Sequence, residues 1–175
     1  MSWNRCLVFV GLLALTLNLS CGDEDDLLGG ALGKEFKSLG KVGASGGKLC
    51  AGTLCLDFPA GAVSKEIEIK AKIVDPGTAP SNMSFVGKAY EITADVEQFV
   101  KPITLQLPLP AGVSTDGLVI ASRQASADAF LPELSTVVTA GFASVRTGHL
   151  SQWTVTKITG RWLTGIAVDS SGAIY

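Results

Sequence analysis

The stretch EIEIKAKI, Glu66–Ile73, alternates strictly between charged and apolar side chains. In an extended chain Ile67, Ile69, Ala71 and Ile73 fall on one side, and the glutamates and lysines fall on the other. This period of two predicts a β-strand with one face in a core and the other face in water.

Stretches of similar texture follow along the chain. They are AYEIT, ITLQLP, LVIASR, FASVRT and SQWTVTKI, and they are separated by the turn-forming stretches PAGA, DPGTAPSN, PAG and TDG. In ITLQLP we expect Ile103, Leu105 and Leu107 to face the core, and Pro102 before it suits the first position of a strand. Short strands at roughly 8–12-residue spacing without long helical patterns predict an all-β fold, an antiparallel β-sandwich.

The first 21 residues, MSWNRCLVFVGLLALTLNLSC, have the composition of a secretory signal peptide. One basic residue, Arg5, precedes an apolar run from Cys6 to Leu17, which is shorter than the roughly 20 residues of a transmembrane helix. We therefore expect an exported protein. The alternative is an uncleaved N-terminal anchor.

Cys21 stands where bacterial lipoproteins are lipidated, and Leu17–Cys21 (LNLSC) resembles a lipobox. Ser20 fits that pattern, whereas Asn18 stands where leucine is usual. Two or more acyl chains on Cys21 would hold the protein on a membrane; the alternative is a spare thiol after ordinary cleavage. Gly22 resembles the outer-membrane class of lipoproteins, so we expect the cell surface or outer membrane of a bacterium.

The remaining chain divides by composition into three parts. Residues 22–45 are rich in glycine, serine and acidic side chains and predict a flexible tether. Residues 46–159 carry the strand patterns and predict the sandwich. Residues 160–175 differ again and are considered below.

Three segments of the expected sandwich resemble the ZU-five domain shared by zonula occludens proteins, ankyrins and Unc-type netrin receptors. GGKLCAGTLCLDFPAGAV opens with a glycine pair, Gly46-Gly47, and ends in the Pro-x-Gly-Ala turn of residues 59–62. YEITADVEQFVKPITLQLP supplies Phe99, Lys101 and Pro102, and GHLSQWTV matches the closing strand. The resemblance runs from residue 46 to about 158 and implies a sandwich that acts as an interaction or spacer module.

Cys50 and Cys55 are separated by only AGTL. In an oxidising compartment such a pair predicts a disulfide. A four-residue loop would place the two cysteines opposite each other, whereas a two-residue Ala-Gly turn would offset them. Two small buried thiols are the alternative.

TGHLSQWTV, Thr147–Val155, contains the single histidine of the chain. His149, Leu150 and Ser151 match the triplet at which adhesion receptors cut their own backbone, and certain ZU-five domains cut at a close variant. In that reaction Ser151 attacks the carbonyl carbon of Leu150 while His149 removes the hydroxyl proton. The alternative is an ordinary strand running on from His149, with successive side chains on opposite faces.

We adopt the strand interpretation of this stretch. Apart from His149 and Ser151, the sequence offers no pair of a nucleophile and a histidine base, because it has no second histidine. We therefore expect a non-catalytic protein, with self-cleavage between Leu150 and Ser151 as the alternative. The cysteine pair supplies too few ligands for a metal, and we expect no cofactor. In the strand, Leu150, Gln152 and Thr154 share one face, and Ser151, Trp153 and Val155 share the other.

The final stretch GIAVDSSGAIY, residues 165–175, resembles the start of an NHL-type β-propeller repeat. A single partial copy cannot bury its apolar faces without neighbouring repeats. Residues 160–175 therefore predict that the sequence continues in a longer, propeller-containing surface protein. The alternative is an ordinary C-terminal strand.

Charge narrows the range of partners. The chain has 14 basic and 16 acidic residues, a net charge of −2, and no basic stripe. Nucleic acid is therefore an unsuitable partner. We expect a membrane partner through the lipid on Cys21 and a protein or surface partner that the sequence does not specify.

Overall fold

A computed structural model of the protein describes residues 32–159, apart from residues 97, 125–126 and 140. The signal peptide, Cys21 and the propeller-like residues 160–175 lie outside the described residues. The described chain forms eleven β-strands. They are β1 (Lys37–Val42), β2 (Gly47–Ala51), β3 (Leu54–Phe58), β4 (Ile67–Val74), β5 (Met83–Ala94), β6 (Gln98–Pro108), β7 (Leu118–Arg123), β8 (Leu131–Glu133), β9 (Val137–Thr139), β10 (Phe142–His149) and β11 (Gln152–Ile158).

The strands form two antiparallel sheets, which confirms the predicted all-β sandwich. The six-stranded sheet has the order β1-β4-β5-β11-β7-β8, and the five-stranded sheet has the order β2-β3-β6-β10-β9. The last of the described strands, β11, lies inside the first sheet, between β5 and β7. The domain is therefore not a simple series of neighbouring hairpins.

The core lies between the two sheets and follows the predicted alternation. On β4, Ile67, Ile69 and Ala71 are at most 2% exposed. On β6 the expected inward residues 103, 105 and 107 are equally buried. Trp153 and Val155 add the large side chains of β11 to the same core cluster. Burial of apolar surface on this scale is the main stabilising contribution to such a domain.

Strand β1 corrects the prediction of a flexible tether over residues 22–45. Residues 37–42 pair with β4, and Val42 is buried in the core. The register shifts between Ser38 and Gly40, so the strand contains a bulge. A bulge interrupts the period of two, so the alternation that marks the other strands is not visible in this stretch.

Pro102 also differs from its expected place. It lies within β6, and not at the start of the strand. The register between β6 and β10 shifts between Thr147 and His149, opposite this part of β6. A proline, which has no N–H to donate, is tolerated in a strand where the ladder is interrupted in this way.

The outer face of the six-stranded sheet is partly covered by the chain between β7 and β8. Thr154 and Thr156 point to this face and are fully buried. Phe130 lies edge-on to Phe85 at a ring distance of 5.3 Å, and Phe85 is the register partner of Thr156. The guanidinium of Arg123 lies 4.4 Å from the centre of the Phe130 ring. This segment gives the sheet a second, smaller apolar layer.

Candidate functional site

The triplet His149, Leu150 and Ser151 forms the crossing between the two sheets. His149 ends β10 in the five-stranded sheet, and β11 begins at Gln152 in the six-stranded sheet. The prediction of one continuous strand from His149 onward is therefore wrong at its start. From Gln152 the expected alternation is confirmed, with Trp153 facing the core.

The imidazole of His149 is held by its neighbour Thr147. Thr147 Oγ1 accepts a hydrogen bond from the backbone N–H of His149 at 3.2 Å. The same hydroxyl lies 3.0 Å from the carbonyl oxygen of His149 and 3.1 Å from its Nδ1. Because Thr147 is 6% exposed, this arrangement fixes the end of β10 from inside the domain.

The hydroxyl of Ser151 has a backbone partner. Ser151 Oγ donates to the carbonyl oxygen of Gln152 at 3.4 Å, and the Ser151 carbonyl accepts from the N–H of Ile92 at 3.0 Å. Among the described residues, every non-glycine has a negative φ, including Leu150. Within the described part of the chain, no hydrogen bond joins the Ser151 hydroxyl to the His149 ring, the contact through which a base would activate this nucleophile.

The ring of His149 lies beside the buried indole of Trp153. Their ring centres are 5.5 Å apart with an angle of 42° between the planes. Trp153 is fully buried, and its Nε1 has no hydrogen-bond partner among the described residues. The crossing thus closes one end of the core with an aromatic pair.

An open groove of about 820 Å³ lies beside the crossing. Ala94, Val96, Phe99 and Leu150 contribute half-buried apolar surface to it and pack against the core. Polar side chains on its rim come from Glu91, Gln98, Gln124, His149 and Gln152. A concave apolar surface with a few polar groups is the usual form of a binding site. The sequence predicted only the triplet here, because the other side chains come from separate strands.

A row of polar side chains crosses the outer face of the six-stranded sheet and joins this rim. Lys72 Nζ lies 3.2 Å from Glu91 Oε2, and Gln152 Nε2 donates to the same oxygen at 3.3 Å. Arg123 donates to Gln152 Oε1 from Nη2 at 2.6 Å and from Nε at 3.0 Å. Each charge in the row has a partner, so the row fixes Glu91 and Gln152 at the edge of the groove.

Cys50 and Cys55 form the predicted disulfide on the β2–β3 hairpin. The connection is a two-residue turn, Gly52–Thr53, and it leaves the cysteines directly opposite each other with a Cα–Cα distance of 4.2 Å. The turn is neither of the two that were considered: it is centred on Gly-Thr, so Ala51 pairs with Leu54 and the cysteines pair with each other. Gly52, with φ of 61°, supplies the conformation that such hairpin turns require.

Two of the three segments that resemble ZU-five domains, the one that ends in residues 59–62 and the one that contains Phe99 and Lys101, contact each other in the fold. Lys101 Nζ donates to the carbonyl oxygen of Ala60 at 2.7 Å. The backbone N–H of Val100 donates to the carbonyl oxygen of Ala62 at 2.9 Å. Phe58 and Phe99 pack edge to face at 5.5 Å. The Pro-x-Gly-Ala turn and the Phe-x-Lys-Pro stretch therefore stabilise each other directly.

No protein-family model matches the chain, and no curated protein matches it in sequence. Within residues 32–159, as far as they are described, no cluster of three or more metal-binding side chains occurs. The described part of the chain also contains no helix long and apolar enough to cross a membrane. The disulfide itself indicates an oxidising, extracytoplasmic environment.

Proposed function

We propose that this protein is a lipid-anchored, extracytoplasmic β-sandwich that acts as a non-catalytic interaction or spacer module. The observation that carries the proposal is the Cys50–Cys55 disulfide, which belongs to an oxidising compartment. It agrees with the signal-type N-terminus and with Cys21 directly after the apolar run. Lipid on Cys21 would supply the membrane attachment.

The resemblance to ZU-five domains supports the module part of the proposal. The stretches that carry it, including residues 59–62 and Lys101, contact each other in the fold. Such a module would bind its partner through a surface, and we assign that role to the groove beside His149. Its apolar floor and its polar rim, in which Glu91 and Gln152 are fixed by hydrogen bonds, suit a protein partner.

The anchor is tested by metabolic labelling with a radioactive fatty acid. Wild type and a Cys6→Ser variant are expected to incorporate label, because Cys6 lies within the signal segment. Cys21→Ser is expected to lose it and to appear in the soluble extracytoplasmic fraction. Equal labelling of the Cys21→Ser protein would overturn the lipid anchor and leave the sandwich as a secreted module.

The resemblance of residues 165–175 to a propeller repeat extends the proposal to a larger surface protein. The coding DNA beyond Tyr175 is then expected to continue with related segments at a period of roughly 40–50 residues. Sequencing of the genomic locus decides this point. A stop codon directly after Tyr175 would restrict the protein to the anchored sandwich.

A further inference from the structure

The groove beside His149 lies where a middle strand of the six-stranded sheet begins late. Strand β11 runs between β5 and β7, and both pairings start at Gln152, which is opposite Glu91 on one side and Arg123 on the other. Before Gln152 the chain crosses over to the five-stranded sheet. Strand β5 nevertheless continues past this point to Ala94. The sheet therefore has an open strand position next to the last residues of β5.

The lining of the groove matches this open position. On the β5 side the groove is lined by residues 91–94, and on the β7 side by Gln124, directly after that strand ends. The crossing, residues 148–151, forms its floor, and Val96 and Phe99 add half-buried apolar surface. Strands β5 and β7 are two strand spacings apart, about 10 Å, which is the room that one extended chain occupies between neighbours. An exposed sheet edge of this kind is a place where a peptide adds as a further strand.

The backbone of β5 directs hydrogen-bonding groups into the open position. The N–H of Ile92 faces the side of β11, because it donates to the carbonyl oxygen of Ser151 at 3.0 Å. Backbone groups of alternate residues in a strand face the same side, so the N–H and C=O of Ala94 also face the groove, whereas Thr93 faces its partner Lys70 on β4. Among the described residues, no backbone hydrogen bond of a turn or loop involves Ala94. Both of its backbone groups are therefore available to an added strand.

The side chains around the open position define the kind of peptide that fits. A strand paired with β5 places successive side chains on opposite sides of the sheet. On the core side, Val96 and Leu150 pack against the core and offer apolar contacts. On the outer side, the carboxylate of Glu91 accepts from Gln152 at 3.3 Å and faces Lys72 at 3.2 Å, so its charge is already offset. The groove therefore suits an extended, uncharged peptide with apolar residues at alternate positions.

We propose that the groove beside His149 binds its protein partner by strand addition. An extended, uncharged segment of the partner pairs with the β5 backbone at Ala94 and fills the open position between β5 and β7. Main-chain hydrogen bonds supply the affinity, and apolar side chains on the core side supply the specificity. This inference rests on the proposed function and deepens it, because it specifies the conformation in which the partner is recognised.

Amide hydrogen exchange in the free protein tests the open position itself. The amide of Ala94 is expected to exchange at least about tenfold faster than the amide of its neighbour Thr93, which faces β4. Equal protection of the two amides would overturn the inference. If that protection is lost on about hundredfold dilution, a second copy of the chain is the occupant. If it persists, the occupant is a segment of the same chain.

Peptides selected from a random decapeptide phage library on the purified protein test the mode of recognition. Synthetic copies of them are expected to slow the exchange of the Ala94 amide about tenfold. Methylation of one alternate set of peptide nitrogens should weaken binding about fivefold or more, whereas methylation of the other set should change it little. Ala94→Pro removes the donor without removing a bond to β4 and should weaken binding to the same extent. Ala94→Ser keeps the N–H and is the matched control.

The outcomes distinguish this inference from the proposed function. Peptides that lose binding to a Val96→Asp variant but tolerate both methylated sets would overturn strand addition and leave the groove as an interaction surface. A selection that yields no binder, or only binders that Val96→Asp leaves unaffected, would overturn both. Thermal unfolding shows whether each variant retains the sandwich. The methylated peptides decide the question with the wild type if Ala94→Pro does not fold.

Discussion

At the residue scale, Gly46 is the position with the least freedom to change. Its φ is 75°, and an added Cβ would overlap the carbonyl oxygen of Phe58 and lie 2.8 Å from the carbonyl carbon of Pro59. We expect Gly46→Ala to destabilise the domain by more than about 3 kcal/mol, since it combines a strained φ with a clash against backbone. Urea unfolding of the variant measures the loss.

Gly77 is the matched control for this effect. Its φ is 77°, but an added Cβ would meet nothing within 4 Å. Gly77→Ala should therefore lose only the conformational part, about 1–2 kcal/mol. If both variants lose the same free energy of unfolding, the contact with the chain around Pro59 is not what restricts Gly46.

Tyr90 makes the stability depend on alkaline pH. The side chain is buried opposite Trp153, and burial raises the pKa of its phenol above the ordinary value of about 10. The folded state then holds the proton more tightly than the unfolded state, so stability is full below pH 10 and falls as the pH rises past it. We expect Tyr90→Phe to lose less thermal stability than wild type between about pH 9 and pH 11. Parallel losses in the two proteins would contradict this.

The bond between Leu150 and Ser151 is expected to stay intact. Ser151 Oγ donates to a backbone carbonyl, and His149 is engaged by Thr147. Intact mass spectrometry of the purified protein should show one chain without a fragment that starts at Ser151. The Ser151→Ala variant supplies the reference for an uncleavable chain. A fragment that begins at Ser151, found in the wild type and not in the Ser151→Ala variant, would restore the self-processing alternative.

At the element scale, the sequence predicted strands whose alternation is long and uninterrupted. Strands β4 and β7 were found at nearly their full length for this reason. Strand β1 was missed because of the bulge at Gly40, and β8 and β9 were missed because three residues are too few to establish a period. The groove was found only at His149–Ser151, since Glu91, Phe99 and Gln124 converge through the sheet topology and share no local motif.

The β2–β3 hairpin is an element whose disulfide should contribute modestly. Cys50 and Cys55 are five positions apart, and closing so short a loop removes little entropy from the unfolded chain. We expect Cys50→Ala combined with Cys55→Ala to lower the free energy of unfolding by about 2 kcal/mol. Wild type unfolded in reductant is the control and should match the double variant. No difference between oxidised and reduced wild type would show that the bridge adds nothing.

At the scale of the whole molecule, the fold of the sandwich depends on β11, the last of the described strands. Strand β11 separates β5 from β7 and brings Trp153 and Val155 into the core. A chain that ends at Leu150 is expected to lack a cooperative fold, whereas one that ends at Thr159 should retain it. Dispersion of amide resonances and a sharp thermal transition distinguish the two. A sharp transition in the shorter chain would show that the remaining strands form a domain by themselves.

The central position of β11 also determines when the six-stranded sheet can form during synthesis and export. The six-stranded sheet cannot close before residues 152–158 have emerged, because β11 lies between β5 and β7 and is the last of the described strands along the chain. Non-local pairing of this kind is slow to form. A domain that crosses a membrane before it folds gains from this order, since the sandwich cannot complete its fold until β11 has crossed as well. The order of strands along the chain would then keep the domain unfolded during export, as a chaperone that binds unfolded chains does.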